Sequence, residues 1–463
     1  MSKLHTTSLF IFRRDLRLED NTGLMQALEE SERVIPLFIF DTAQTDTAKN
    51  KYFSSHAFQF MLQSLTELDE ALRAHGSKLY MYEGTYTEVL EDICTHNKID
   101  AIYVNRDYIP FSRKRDAAIE VVAKKHGAAF IRAADYVLSP VEEVRTGAGK
   151  PYSVFTPFMR QAVTFGVAAP RQNRYKNYFS GSLHMSKHTP THYKVKPTPT
   201  AFLCGGRHEA LKLLKRGTFL KRYTAQRNVP AIDGTSRLSA HLKFGTVSVR
   251  EVYAVAVEEA GATSQFVAEL YWRDFYMHIG YHFPHVFGKS FQSWGDHIEW
   301  ENSKKQFAAW CEGKTGVPIV DAGMRQLNQT GWMHNRVRMI VASYLTKNLL
   351  IDWRWGERYF ASQLIDYDPC SNNGGWQWSA SVGADPKPIR IFNPYLQAQT
   401  YDPDATYVKQ WVAELEDVDA GLIAGGKEVD FSTLVDGYPS PLISQKESAA
   451  RARAVYAAAK RHA

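Results

Sequence analysis

A helix over Phe266–Phe283 brings Glu269, Trp272, Arg273 and Tyr276 onto one face, because they fall at i, i+3, i+4 and i+7. That face mixes two opposite charges with two aromatic rings. A core face would be aliphatic, and a solvent face seldom carries Trp. A cleft lined for a flat, polar ligand suits the mixture: rings stack on it and charges bond its edge. A surface ion pair from Glu269 to Arg273 beside a core Trp explains the same residues, and the residue types leave both readings open. The run Gly331-Trp332-Met333-His334-Asn335-Arg336-Val337-Arg338-Met339 is similar in character. Asn335, Arg338 and Met339 share a helical face, while Asn335 and Arg336 diverge by about 100° and can serve neighbouring ligands.

The run Asp366-Tyr367-Asp368-Pro369-Cys370-Ser371-Asn372-Asn373-Gly374-Gly375-Trp376-Gln377-Trp378 is more pointed. As a helix it sets Asn372 and Trp376 on one face and Trp378 roughly opposite. Two glycines let a flat body approach the backbone, at a cost in helix propensity. A large core gains nothing from that composition. Gly234-Thr235-Ser236-Arg237-Leu238-Ser239 precedes an apolar segment. Hydroxyls and an arginine at a helix start can hold a phosphate, since free N–H groups and the helix dipole favour an anion there. Taken alone, a plain N-cap is the simpler reading.

The elements that must position these residues fall into three stretches. In the first, Ser8–Phe12, Val34–Phe40, Lys78–Tyr82, Ala101–Val104 and Ala128–Ile131 read as strands. Between the second and third, Phe58, Met61, Leu62, Leu65, Leu68 and Leu72 recur at helical spacing. Apolar strands alternating with helices predict a parallel, Rossmann-like sheet covered on both faces, with any ligand at the carboxyl ends of its strands. The second stretch, 141–200, is rich in Pro, Thr, Ser and Lys and predicts an irregular interdomain connection with a short helix in Tyr152–Val163. The third, 201–463, predicts an all-helical domain, with helices over Leu211–Leu220, Arg250–Ala260, Phe266–Phe283, Lys304–Trp310, Val317–Gln329, His334–Leu349 and Trp355–Leu364. Gln445–Ala463 reads as one more short helix. The loop Ala384-Asp385-Pro386-Lys387-Pro388 is stiffened by proline.

At 463 residues, with 44% hydrophobic and 23% charged residues, the chain is an ordinary globular protein, not a disordered or collagen-like one. Cys94, Cys204, Cys311 and Cys370 are too scattered for a zinc cluster or a disulfide framework, so no metal is expected and a reducing compartment fits. No apolar run spans a bilayer, and the N-terminal sequence lacks an export signal, so a cytoplasmic protein is expected. Gly313-Lys314-Thr315 lacks the earlier P-loop glycine, Gly149-Lys150 runs into Pro151, and His208-Glu209 has Lys212 where a zinc ligand belongs. The net charge of +7 is mild. No acidic residue lies between Glu143 and Glu209, however, while Arg145, Lys150, Arg160, Arg171, Arg174 and Lys176 do. That leaves a solvated linker or a polyanion-facing surface. All ten tryptophans lie from Trp272 to Trp411, so the two halves do different work.

In these blocks the chain resembles the photolyase/cryptochrome flavoproteins, and most closely the class I cyclobutane pyrimidine dimer (CPD) photolyases. The resemblance runs from Phe12-Arg13-Arg14-Asp15-Leu16-Arg17 through Val154-Phe155-Thr156-Pro157-Phe158 and Thr235–Ser239. It is densest between Gly313 and Pro394. It implies an α/β antenna domain (1–140), a linker (141–200) and a helical FAD-binding domain (201–463). By position it implies that Tyr223, Thr235, Ser236, Arg237, Leu238 and Ser239 hold the FAD phosphates and neighbouring groups. Arg273, Arg338, Asp366, Asp368 and Asn372 contact the rest of the flavin, with Arg338 and Asp366 ion-paired. Asn372 faces flavin N5, where an amide suits an anionic hydroquinone. Glu269, Trp272, Asn335, Arg336, Met339 and Trp378 form the lesion pocket. Arg227 and Gln397 contact DNA, and Trp376, Trp353 and Trp300 relay electrons to the surface.

The resemblance further implies light-driven splitting of pyrimidine dimers in DNA by a monomer. (6-4) photolyases carry histidines where this chain has Asn335 and Met339, which argues for the cyclobutane lesion. A signalling cryptochrome usually adds a C-terminal tail, whereas this chain ends at Ala463, which favours repair. A simple flavin electron carrier needs no lesion pocket, and Trp272 with Trp378 separates it. The segment Val104–Phe111 lies where an antenna chromophore would sit. A folate, a deazaflavin or a second flavin fits the family, and the residues do not choose among them.

Overall fold

The computed structural model describes residues 3–195, 202–386 and 389–461; Lys387 and Pro388 of the proline-rich loop, and 196–200 of the connection, lie outside the described residues. All five expected strands form: β1 (His5–Phe12), β2 (Ser31–Asp41), β3 (Tyr80–Gly84), β4 (Ala101–Asn105) and β5 (Ala129–Ala133). They make one parallel sheet in the order β3-β2-β1-β4-β5. Leu9, Phe10, Ile11 and Phe12 of β1 are fully buried, as a strand covered on both faces requires. The covering helices are α1 (Thr22–Glu30), α2 (Ser55–Ala74), α3 (Tyr86–His96) and α4 (Pro110–Lys125). On α2 the predicted stripe buries Leu62, Leu65, Leu68 and Leu72, and the Ser54 side chain caps its start.

The order of the strands reverses between β1 and β4, and the loops there separate to leave a crevice at the carboxyl ends.

Residues 141–195 are irregular apart from α5 (Phe155–Val163), and their later part lies along the sheet. Asn177 and Phe179 hydrogen-bond to Val34 of β2. Asp92 of α3 accepts from the Ser186, Lys187 and His188 amides. Arg145, Lys150, Arg160 and Lys187 remain exposed.

The second domain is helical: α6 (Arg207–Lys215), α7 (Ser239–Phe244), α8 (Val249–Ala260), α9 (Gln265–His282), α10 (Lys304–Glu312), α11 (Pro318–Thr330), α12 (Asn335–Ser343), α13 (Trp353–Gln363), α14 (Pro369–Ser379), α15 (Pro394–Tyr401) and α16 (Gln445–Arg461). Two expected helices are broken. Leu211–Leu220 divides into α6 and a 3₁₀ turn at Gly217, where the backbone runs close against α8: a Cβ there would sit 3.1 Å from Val255. His334–Leu349 ends its α-helix at Ser343 and continues as a π turn, Tyr344–Asn348, with the Leu349 amide bonded to the Tyr344 carbonyl.

The domains share a buried ionic junction. Asp135 pairs with Arg17 at 2.7 Å and Arg250 at 2.8 Å, and Arg250 also reaches Asp20 at 3.0 Å. The two arginines hold the Asp135 carboxyl well below the usual carboxylate range despite its burial. No helix among the described residues is long and apolar enough to cross a membrane.

Candidate active site

On α9 the alternative reading, a Glu269–Arg273 surface pair, does not form. Glu269 pairs with Arg227 and accepts from Gln265 Nε2 at 2.8 Å. Arg273 turns away and donates to the Tyr136 carbonyl at 2.6 Å. Trp272 lies flat on Phe155, with ring centroids 3.8 Å apart and planes 8° from parallel. Phe155 thus covers one face of the indole, and the residue is only half-buried. Phe155 belongs to α5, so the connection between the domains supplies a wall of the site.

α12 starts at a His334 cap, whose Nδ1 accepts from the Arg336 amide. Burial and the neighbouring arginines hold His334 down at about 4, so the ring is neutral and can accept. Asn335 is exposed. Arg336 donates to Asn228 at 2.8 Å and lies over the Tyr401 ring at 4.3 Å. Met339 and Trp378 line one small cleft with Ser343, Lys347 and Phe392. Gln397 sits half-buried on α15 with its side-chain oxygen buried and without a partner.

The expected Arg338–Asp366 ion pair is present at 2.9 Å, and Arg338 Nε also donates to the Met333 carbonyl. Asp368 caps α14, accepting from the Ser371 amide, and pairs with Arg14 from the loop after β1. Asn372 donates through Nδ2 to Glu357 Oε1 at 3.0 Å and to the Glu357 carbonyl at 3.1 Å, which leaves Oδ1 to accept. Burial pushes Glu357 up to about 7. A Cβ built on Gly375 meets no heavy atom within 4 Å, so α14 faces open space one turn beyond Asn372. A flat ring system fits there, beside a cation–anion pair and an amide acceptor. Before α7, Ser236 Oγ accepts from the Leu238 amide, Arg237 takes a left-handed φ of 55° and pairs with Asp233, and Thr235 and Ser239 stay accessible. Tyr223 is half-buried and packs edge-on against Phe266.

Of the tryptophans expected to relay electrons, Trp376 and Trp353 are buried in one core with Trp300 half-buried at its margin. Trp376 packs edge-on against Phe360 at 5.0 Å and Trp310 at 6.1 Å. Trp300 meets the Tyr456 ring at 6.1 Å.

A second cleft, of 610 Å³, opens at the carboxyl ends of β1, β2 and β4. Phe40, Asp41 and Phe111 line its α/β side; Trp353, Glu357 and Tyr367 line its helical side. The predicted segment Val104–Phe111 contributes Asp107, Ile109, Pro110 and Phe111. Among the described residues, no cluster of His, Cys, Asp and Glu could hold a metal ion.

Phe155, Glu357 and Trp310 are residues at the site to which the sequence assigned no role. Phe155 appeared only within a resemblance block, and Glu357 and Trp310 sit in ordinary amphipathic helices. Each gains its place from packing between helices distant in sequence, and nothing local marks it.

Comparison with known proteins agrees with this geometry. The DNA photolyase family matches residues 8–172, and the FAD binding domain of DNA photolyase matches residues 266–458. The deoxyribodipyrimidine photo-lyase of Escherichia coli is 38% identical, covering 98% of this chain and 99% of that protein. The same-named protein of a Synechococcus species is 36% identical over 97% of this chain and 96% of its own length. The crystal structure of an archaeal photolyase from Sulfolobus tokodaii, described with two FAD molecules, is 42% identical, covers 98% of this chain and 100% of that one, and superposes with a TM-score of 0.87. An α/β sheet domain joined to a helical domain that carries a flavin-type cradle and an aromatic cleft, with full-length relatives of the same kind, makes this chain a member of the DNA photolyase family.

Proposed function

We propose that this chain is a deoxyribodipyrimidine photo-lyase that repairs cyclobutane pyrimidine dimers in DNA under blue light. The observation that carries the reading is α14. It presents Asn372 and Trp378 about 120° apart, with the open space at Gly375 between them, so one helix serves a flavin and a flipped lesion together.

The chemistry that reduced FAD would supply when bound is light-driven transfer of one electron to the dimer and its return. The protein's own work is binding, orientation and charge. Arg338, Asp366, Arg273, Asp368 and Asn372 hold the ring end of FAD, and Tyr223 with Thr235–Ser239 holds its phosphates. Asn372 would offer its amide oxygen toward flavin N5, because Glu357 occupies its Nδ2. Trp272, backed by Phe155, and Trp378 stack on the extruded bases. Asn335, Arg336 and Met339 shape the pocket for the cyclobutane lesion. The Arg227–Glu269 pair links two tasks: a DNA phosphate that draws Arg227 away frees the Glu269 carboxylate for a thymine edge. Arg227 and Gln397 grip the backbone. Trp376, Trp353 and Trp300 carry electrons in from the surface when the flavin needs reduction.

The division 1–140, 141–200 and 201–463 follows these tasks, with a monomer acting on DNA in the cytoplasm. The cleft at the strand ends holds an antenna chromophore. The Sulfolobus relative with two FAD molecules supports a flavin there over a folate or a deazaflavin.

The test is an oligonucleotide carrying one thymine dimer, incubated with holoprotein in darkness and under blue light. Light-dependent restoration of the two thymines is expected. Repair of the (6-4) product instead would transfer the chain to that class, and binding without repair would favour a cryptochrome.

A further inference from the structure

The π turn Tyr344–Asn348 follows directly from α12, and it re-aims the side chain of Lys347 inward. Lys347 is 3% exposed. Its ammonium donates to Ser381 Oγ at 2.9 Å and to the Arg390 carbonyl. Among the described residues no carboxylate forms an ion pair with it, and burial pushes it down to about 7. A buried ammonium without an anion is costly, and a Met or Leu would fill the space more cheaply. Its position explains the cost. Ser381 lies two residues past the end of α14, which carries Trp378, and it takes a left-handed φ of 63°. Arg390 begins the segment that leads into α15, which carries Gln397. Lys347 itself extends α12, which carries Asn335, Arg336 and Met339. Ser343, at the end of α12, adds a second tie by accepting from the Phe392 amide. The turn is in turn anchored on α16, where Asn348 donates to Gln445 at 2.8 Å and Ser448 at 2.9 Å.

We propose that Lys347 is a positioning residue for lesion recognition, a buried brace that locks the ends of α12 and α14 and the approach to α15 into one arrangement of Met339, Trp378 and Gln397. The role rests on the lesion-pocket reading above. It sets the cleft's shape and leaves the flavin side of α14 alone, because its two acceptors lie beyond Ser379.

The test compares the parent holoprotein with Lys347→Met and Lys347→Arg. Lys347→Met is expected to raise the dark dissociation constant for a thymine-dimer duplex tenfold or more. Repair per absorbed photon in the saturated complex should stay within twofold. Amide hydrogen exchange should quicken at Ser381 and Val382 and not at Asn372 and Asn373. Lys347→Arg, which still donates to both acceptors, should recover the affinity to within threefold of the parent. An affinity within twofold of the parent in Lys347→Met, or an equal loss of repair per absorbed photon in the saturated complex, overturns the brace. If Lys347→Met fails to fold or to hold flavin, Ser381→Ala carries the test: a threefold loss of affinity is expected, and no loss overturns the proposal. If the parent itself ignores dimer DNA, the functional reading fails, while unchanged exchange at Ser381 refutes the brace separately.

Discussion

Asn372 Nδ2 donates two hydrogen bonds to Glu357, one to its carboxylate at 3.0 Å and one to its backbone carbonyl at 3.1 Å. The carboxyl that orients Asn372, the residue proposed to face the flavin, is thereby a group poised to ionise near neutral pH. Because its folded value lies above its unfolded 4.5, the folded state binds the extra proton between 4.5 and about 7. Stability therefore falls as pH rises through that window. Glu357→Gln should flatten this part of the profile, a change on the order of 1–3 kcal/mol between pH 4.5 and 7.5. Thermal melts of parent and variant across that range check it; parallel profiles would contradict the assignment.

Trp272→Ala should weaken binding to a dimer duplex by about 1–3 kcal/mol, since one stacking surface is lost. Flavin content should not change. Phe155→Ala should give a smaller loss of the same kind, because it removes only the backing of the indole. Titration of both variants against dimer and undamaged duplexes separates stacking from general DNA affinity.

Trp376→Phe should block photoreduction of oxidised flavin and spare repair by prereduced enzyme. Trp376 is buried against Phe360 and Trp310, so Phe keeps an aromatic ring there and leaves only a small cavity. Flash photolysis alongside the repair assay decides it. Equal loss of both activities would remove Trp376 from the relay.

Asp135→Asn should destabilise the protein by about 3–5 kcal/mol, because Arg17 and Arg250 are left buried without their anion. The parent's contribution from this group is complete above pH 3.8 and is lost as pH falls through its lowered folded value. Denaturant melts at pH 7 and pH 3 should show the difference between parent and variant shrinking in acid.

The fold was readable where periodicity was strong. β1 and the α2 stripe follow from apolar runs that can be buried in only one way. The breaks at Gly217 and Ser343 were not readable, because they answer contacts with α8 and α16 that no local window contains. The face of α9 shows the same limit. Its spacing was plain, yet whether Glu269 would pair with Arg273 or with Arg227 depended on a turn 42 residues away in the chain.

From residue types and spacing came the two-domain plan and the mixed polar and aromatic faces around Glu269, Asn335 and Asn372, because side-chain chemistry at fixed helical intervals is a local property; the family, and with it the proposed flavin and lesion roles, came from the resemblance of whole blocks. Tertiary structure alone decided which partner each charged or aromatic side chain takes: Phe155 behind Trp272, Glu357 behind Asn372, and Lys347 beneath Ser381. Buried polar groups must find partners wherever the packed chain brings them, and that search crosses helices the sequence leaves far apart.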